Sequence, residues 1–462
     1  MTSVASTDVP SAAGPPVVEG RFGPVKGLRR NAVEYAETTW RRHGDLVRMV
    51  VGPPGMDRDV WWVHHPDAAA RVLSASSFRA YAKRDQVHEE IVTWLGPGLL
   101  TAEGEDWTRQ KRFLQPVFTK AAVDGYADLM VEEIEAVVAE WDVTDHPTVD
   151  LGVQMQRLTL RVVLRALFGD AADDVLPHVR RSWPAVSDTI MRRGLGAVRL
   201  PAGIPTARVR RGRVARDDLF GVCEDIVADR RLGRTVGETD LLSRLIAARD
   251  GDARLSDEEV RSQVLLFMLA GHETTAIALT FALHLLGRHP DIQDRVRAEV
   301  REVLGEGLPS AATVTALPGT TAVLKEAMRL YPSAPILGRL CVADDELLGH
   351  RVPAGTNVVV VPWTIHRHPD VWQDPLVFDP GRFTGTGARP EPEHRYAWMP
   401  FGGGPRACIG QHFSMVEAVL ALALVLRGHR VTALADSDHV PVSSLITLFP
   451  TEPVLARVDR VP

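Results

Sequence analysis

The run between Ser256 and His289 constrains this chain more than any other part of it. Ser256, with Glu259 three residues on, forms a capping box, and no proline interrupts the run until Pro290. At about 1.5 Å per residue the helix is roughly 50 Å long, longer than a small domain is wide. Its middle, LLFMLAGHETTAIALTFALHLL, is apolar on nearly every face, so it has to be buried all round. A bilayer is a poor place for it, because His272, Glu273, Thr274 and Thr275 sit at its centre. The chain must therefore build a large helical body around one axial helix.

The remaining sequence supplies that body. Apolar residues recur at three- and four-residue spacing over 118–143, 152–169 and 212–231, and again over 321–331 and 409–427. Short β-branched and aromatic runs, VRMVVGPP and DVWWVHH, read as strands near the N-terminus, and 340–385 returns to strands and turns. The expected fold class is mainly α with a minor β-sheet region: a single large α-rich domain over 21–462 behind a flexible N-terminal arm, 1–20, rich in Pro, Ala and Ser. Segment 184–216 carries Pro184, Pro201, Pro205 and eight arginines. It reads as a solvated loop leading into a helix, with a mobile lid or a surface for an acidic partner as the sharper alternative.

Bulk chemistry narrows the partners. A net charge of −6 argues against nucleic acid, which needs a basic face. The N-terminus has no basic segment followed by an apolar core, so neither a signal peptide nor a membrane anchor is expected. Cys223, Cys341 and Cys408 are too few and too odd in number for a disulfide framework, and suit a reducing, cytoplasmic setting.

Cys408 stands apart from the other two. It lies in FGGGPRACIG, behind Gly402, Gly403 and Gly404, which free the backbone for a close approach. Arg406 offers a permanent cation suited to a carboxylate. A helical run follows, whose unpaired N–H groups favour a thiolate. The plain alternative is a small buried hydrophobe. A nucleophile would want a base, and the one close histidine is His412. No second cysteine stands at zinc-like spacing. A single thiolate holding a cofactor's metal remains. Two further stretches carry costs that need explaining: AGHETT puts a glycine and a carboxylate in mid-helix, and KEAMRLYP puts Glu326 and Arg329 on one helix face.

Phe401 to Gly410 resembles the haem-binding loop of the cytochrome P450 family, Phe-x-x-Gly-x-Arg-x-Cys-x-Gly, at every fixed position. The resemblance implies that Cys408 is the axial thiolate of heme b, that Arg406 binds a propionate, and that Phe401, Gly402 and Gly410 frame the sulfur. AGHETT is similar to the family's acid–alcohol pair. Ala270 and Gly271 would leave room over the flat cofactor, Thr274 would hydrogen-bond O2 or a water beside it, and Glu273 would relay protons; His272 fills a variable position. Glu326, Arg329 and Arg382, the last in FDPGRF, would form a structural network, although the family usually has glutamate at Gly381. GEDWTRQKRF resembles the Trp-x-x-x-Arg helix, with Trp107 in place, Lys111 where arginine is usual, and Arg112 as a possible substitute. Arg339 would reach the other propionate. These matches run from about residue 97 to 425.

The same resemblance implies a monooxygenase acting on an apolar terpenoid, polyketide or acyl-type molecule. Its substrate would be lined by Val92 and Leu95, by Phe267, Ala270 and Thr274, by Ala334, Ile336 and Leu337, and by Ile446 and Thr447. Electrons would come from NAD(P)H through a separate ferredoxin and ferredoxin reductase, the ferredoxin docking near Arg109, Lys111 and Arg112. A monomer is expected. The alternatives are an oxidative-coupling relative, a non-catalytic haem-thiolate sensor, and a cysteine-nucleophile enzyme without haem.

Overall fold

The computed structural model describes residues 14–461 apart from 19, 21–22, 53, 56, 85, 144–147, 195–205, 234–239 and 445. Its axis is the helix Asp257–Arg288. The Ser256 hydroxyl accepts from the Glu259 N–H at 3.2 Å, and the Glu259 carboxylate accepts from the Ser256 N–H at 2.8 Å. His289 closes the helix ahead of Pro290. Around it pack the helices Leu151–Phe168, Ala207–Arg231, Pro318–Leu330 and Gln411–Gly428, with the strand His429–Ala433. They form the main apolar core, which includes Leu265, Leu279, Phe281, Leu285, Leu420 and Leu424. The central helix and Gln411–Gly428 are long and apolar enough to cross a bilayer, yet both are mostly enclosed by the fold.

Two helical expectations are modified. Residues 118–143 do not form one helix. Lys120–Asp124 and Ala127–Ala139 are separated at Gly125 and Tyr126, whose N–H groups bond back to Ala121 and Val123. Conversely, Pro184 does not break the chain: Ala172–Gly194 is continuous through Pro177 and Pro184. An internal proline costs about 3 kcal/mol. Val175, Val179, Trp183, Val186 and Ile190 form a buried stripe on that helix, and their burial outweighs the cost. Of the rest of the expected segment, 195–205 with Arg199, Pro201 and Pro205 lies outside the described residues, and 206–216 with its five arginines is the N-cap and start of the helix Ala207–Arg231.

The minor sheet is assembled from both ends of the chain. Its order is Val17–Val18, Leu46–Val51, Arg58–Val63, Asn357–Val360, Leu337–Cys341, Tyr81–Ala82. Trp62 sits opposite Val47 on one side and Val359 on the other, and Arg339 pairs with Val358. Trp61, Val63, Val358 and Val360 bury one part of the sheet in a second, smaller core with Ile365, Tyr396 and Met399. Of the expected arm over 1–20, residues 1–13 lie outside the described residues, and Val17–Val18 pair in parallel with Arg48 and Met49.

Candidate active site

The cysteine loop is shaped by close contacts within the protein. A Cβ on Gly404, whose φ is +64°, would fall 1.9 Å from the Leu73 carbonyl oxygen, and one on Gly403 would strike the Tyr396 ring. These two glycines therefore allow the loop to approach its own fold. Gly402 needs its freedom for a φ of +71° alone. The Cys408 N–H donates to the Phe401 carbonyl at 2.9 Å and closes the loop. Burial pushes the Cys408 thiol pKa up, while the Gly410 N–H and the Lys83 charge oppose that rise. Although surrounded by protein, Cys408 is accessible, unlike Cys223 and Cys341. The helix Gln411–Gly428 follows, with Gly410 as its N-cap. His412, the close histidine, is engaged elsewhere, its Nε2 2.7 Å from Asp124.

Arg406 is held beside this loop. Its Nη2 donates to Glu103 at 2.7 Å, and its guanidinium lies 4.5 Å from the Trp107 ring centre and 5.6 Å from that of Phe78. Its Nη1 is buried with no partner. Lys111 Nζ lies over the Trp107 ring and donates to the Pro405 carbonyl at 3.1 Å, so it braces the loop. Arg112 does not take part: it is an exposed ion pair with Asp250 at 3.2 Å, directed to solvent. Arg339 is buried in the strand Leu337–Cys341 and donates to the Gly338 carbonyl. Glu103 and Phe78 were not singled out in the sequence; their neighbours give no signal, and only the fold brings them to Arg406.

On the central helix between Ser262 and Leu286, burial lapses at one place. Ala270 is exposed and Phe267, Gly271, Glu273 and Thr274 are half-buried, amid residues that are otherwise enclosed. Phe267, Ala270 and Thr274 follow three- and four-residue spacing and share a face. The Thr274 hydroxyl donates to the Ala270 carbonyl at 2.8 Å, and the Ser333 hydroxyl donates to the Thr274 carbonyl at 2.7 Å. Gly271 serves a different purpose from the one expected: a Cβ there would meet Val163 Cγ2 at 2.9 Å, so its smallness lets the Leu151–Phe168 helix pack close. Thr275 and Ser414 exchange a hydrogen bond at 3.0 Å, tying the central helix to the cysteine helix. Beside them burial holds the Glu417 carboxyl well above the ordinary range.

Glu273 is rotated by about 100° from Thr274 and faces elsewhere. Trp183 Nε1 donates to one carboxylate oxygen at 3.0 Å, and the Thr447 hydroxyl donates to the other at 3.1 Å. Thr447 is thus a partner of the acid, which replaces its expected place against substrate. Leu95 is also corrected, because it is wholly buried in the main core and offers no surface. Val92 is exposed on Gln86–Leu95. Ala334, Ile336, Leu337 and Ile446 are half-buried, and Phe267 packs edge-on to Phe118, with ring centres 5.1 Å apart.

The Glu326–Arg329 pair lies behind the site with no solvent exposure. Arg329 donates twice to Glu326 and also to the carbonyls of His366, Pro375 and Val377. Arg382 joins at 3.3 Å. Gly381 cannot carry a side chain, since a Cβ would meet Gly387 Cα at 2.6 Å. In its neighbourhood the Asp379 N–H donates to Glu326 at 2.9 Å.

These donors fit an iron porphyrin. One soft sulfur is accessible, a buried guanidinium nitrogen of Arg406 has no partner, and a small-residue window opens on an enclosed helix. Among the described residues no group of three or more His, Cys, Asp or Glu converges to hold a metal by itself, so the cysteine would act as a lone protein ligand. Fold and site would suit a haem held through one sulfur. The comparisons agree. The cytochrome P450 family profile matches residues 15–457. Cyclooctatin synthase of Streptomyces melanosporofaciens is 37% identical over 83% of this chain and 82% of its own length. Pentalenene oxygenase of Streptomyces avermitilis is 33% identical over 91% of each. The crystal structure of the cytochrome P450DA heme domain superposes with a TM-score of 0.83 at 28% identity, covering 98% of both chains. The chain belongs to the cytochrome P450 family, and it is a monooxygenase.

Proposed function

We propose that this enzyme inserts one oxygen atom into a cyclic terpenoid, with Cys408 as the protein ligand of haem iron and Arg406 and Arg339 on the propionates. The observation that carries the reading is the stripe Phe267, Ala270, Thr274: an apolar, accessible face with one hydroxyl, on a helix otherwise enclosed. Such a face holds a ligand by shape, with few polar anchors. The names of the two Streptomyces relatives favour the terpenoid class among apolar substrates. When bound, haem supplies the activation of dioxygen, and the thiolate's electron donation favours O–O cleavage. The protein's own share is narrower. Phe267 and Ala270 shape the apolar wall, Thr274 presents a hydroxyl to the oxygen side, and Glu273 carries protons inward.

Electrons would reach the iron from NAD(P)H through a ferredoxin and its reductase. The docking face would be the side of the cysteine loop, and the charges expected to guide it are already engaged: Arg109 pairs with Glu259, Arg112 with Asp250, and Lys111 with the Pro405 carbonyl. Steering by these residues would accordingly be modest. A cytoplasmic monomer completes the reading. The test is an optical titration of the ferric holoenzyme with cyclic terpene hydrocarbons and alcohols, beside polyketides and fatty acids. A low- to high-spin shift confined to the terpenoids is expected. A shift confined to fatty acids or polyketides would overturn the substrate class.

A further inference from the structure

We propose that Glu103 is a positioning residue that shares Arg406 with the cofactor: it neutralises the buried guanidinium from one side, weakens the hold on a propionate at the other, and keeps the reduction potential of the iron low. The proposal deepens the function proposed above and rests on Arg406 as a propionate partner. Glu103 stands at the N-cap of the helix Gly104–Leu114, yet its side chain makes no capping bond there. One oxygen, Oε1, instead accepts from Arg406 Nη2 at 2.7 Å and from the Lys83 N–H at 2.9 Å. An N-cap side chain ordinarily serves its own helix. This one is turned across to the cysteine loop, and through Lys83 it also fastens the chain just after the edge strand Tyr81–Ala82.

The loop needs an acid there. The Arg406 side chain is 6% exposed and lies against the rings of Trp107 and Phe78. A guanidinium so enclosed requires a counter-charge. Burial is the largest influence on Arg406 and lowers its pKa, and the Glu103 charge opposes it. Among the described residues Glu103 is the one acid in an ion pair with Arg406. A second cation, Lys111 Nζ, lies 4.9 Å from the centre of the Trp107 ring, which Arg406 approaches to 4.5 Å. Two cations and one carboxylate leave one positive charge beside that ring. The remaining guanidinium nitrogen, Nη1, is buried without a partner.

A propionate on Nη1 would share one guanidinium with Glu103. Two opposed effects follow. Glu103 helps to aim Arg406, but the two rings and the enclosure already fix the guanidinium, so losing the Glu103 charge leaves it in place. What remains is electrostatic. Like charges on neighbouring nitrogens of one guanidinium repel, and burial screens them little. The repulsion falls on the propionate. The same negative charge favours ferric over ferrous iron, because reduction removes one positive charge from the metal.

The experiment compares the ferric holoenzyme with Glu103→Gln, which keeps an acceptor for Arg406 and Lys83 and removes the charge. Two quantities are read: the rate of haem transfer to excess apomyoglobin, and the reduction potential from a dye-mediated optical titration with dithionite. Glu103→Gln should slow the transfer about threefold. It should also favour the ferrous form about threefold at a fixed potential, a positive shift of about 28 mV for a one-electron couple. Glu103→Asp keeps the charge and should leave the potential near that of the wild type. Faster haem transfer in Glu103→Gln overturns the proposal, since Glu103 would then only prop Arg406. So does an unmoved potential, or a shift of equal size in Glu103→Asp. Should Glu103→Gln yield no holoenzyme, Glu103→Ala is read by the same two signs. Failure of the haem reading is seen separately, as a wild-type protein whose reduced carbon monoxide spectrum lacks the thiolate-type band.

Discussion

At the residue scale, the chemistry was legible wherever it was local in sequence and obscure wherever it was not. Cys408, Arg406 and Thr274 stand in short motifs whose costs point to a use. Trp183 and Thr447 reach Glu273 across 90 and 174 residues, and no spacing rule spans such separations. Gly271 shows a subtler limit. The sequence says a side chain is unwelcome, but only packing says that Val163 forbids it. Gly271→Ala should therefore destabilise the holoenzyme by about 1–3 kcal/mol through overpacking, and Val163→Ala in the same chain should restore much of the loss. Chemical denaturation of the four proteins in that cycle measures this; a Gly271→Ala loss that Val163→Ala leaves untouched would place the pressure elsewhere. Thr274→Ala removes the one hydroxyl on the accessible stripe and should release peroxide in place of product while donor consumption continues. Unchanged coupling of donor to product would assign oxygen activation to other groups.

At the scale of elements, helix ends were readable and helix interruptions were not. The Ser256 capping box and Pro290 marked both ends of the central helix, because caps are side-chain chemistry written next to the backbone they serve. Pro184 misleads for the opposite reason: its penalty is local, and the burial that overcomes it comes from the tertiary packing of a whole stripe. The helix Pro318–Leu330 carries the clearest element-level prediction. Arg329 satisfies Glu326 and three carbonyls of the 366–377 segment with no exposure. Removing one partner of a buried pair costs about 3–5 kcal/mol. Arg329→Ala should accordingly give insoluble or haem-free protein, measured as haem absorbance per mass of purified chain. A soluble, fully loaded variant would contradict the structural role of this network.

At the scale of the whole molecule, the sequence indicated an α-rich body with a small sheet, but not that strands near residues 46–63 join those at 337–360. Pairing between distant segments leaves no periodic trace in either. That junction carries a pH response. Burial is the largest influence on His64 and His366 and lowers both to about 3; for His366 the charges of Arg367 and Arg329 push the same way. Between pH 6.5 and 3 the unfolded chain binds these protons and the folded one does not, so stability rises with pH through that window and is lost as pH falls below 6.5. Each buried imidazole contributes a slope of about 1.4 kcal/mol per pH unit there. Urea midpoints of the holoenzyme should drop steadily from pH 6.5 to 5, and a flat profile would mean that these rings are charged in the native state. The proposed oxidation chemistry requires a haem held by one sulfur. The most direct test is the carbon monoxide difference spectrum of the reduced protein beside that of Cys408→Ser. The wild type should show the long-wavelength Soret band of thiolate-ligated haem and the variant should lack it. The same band in both proteins would contradict Cys408 as the ligand.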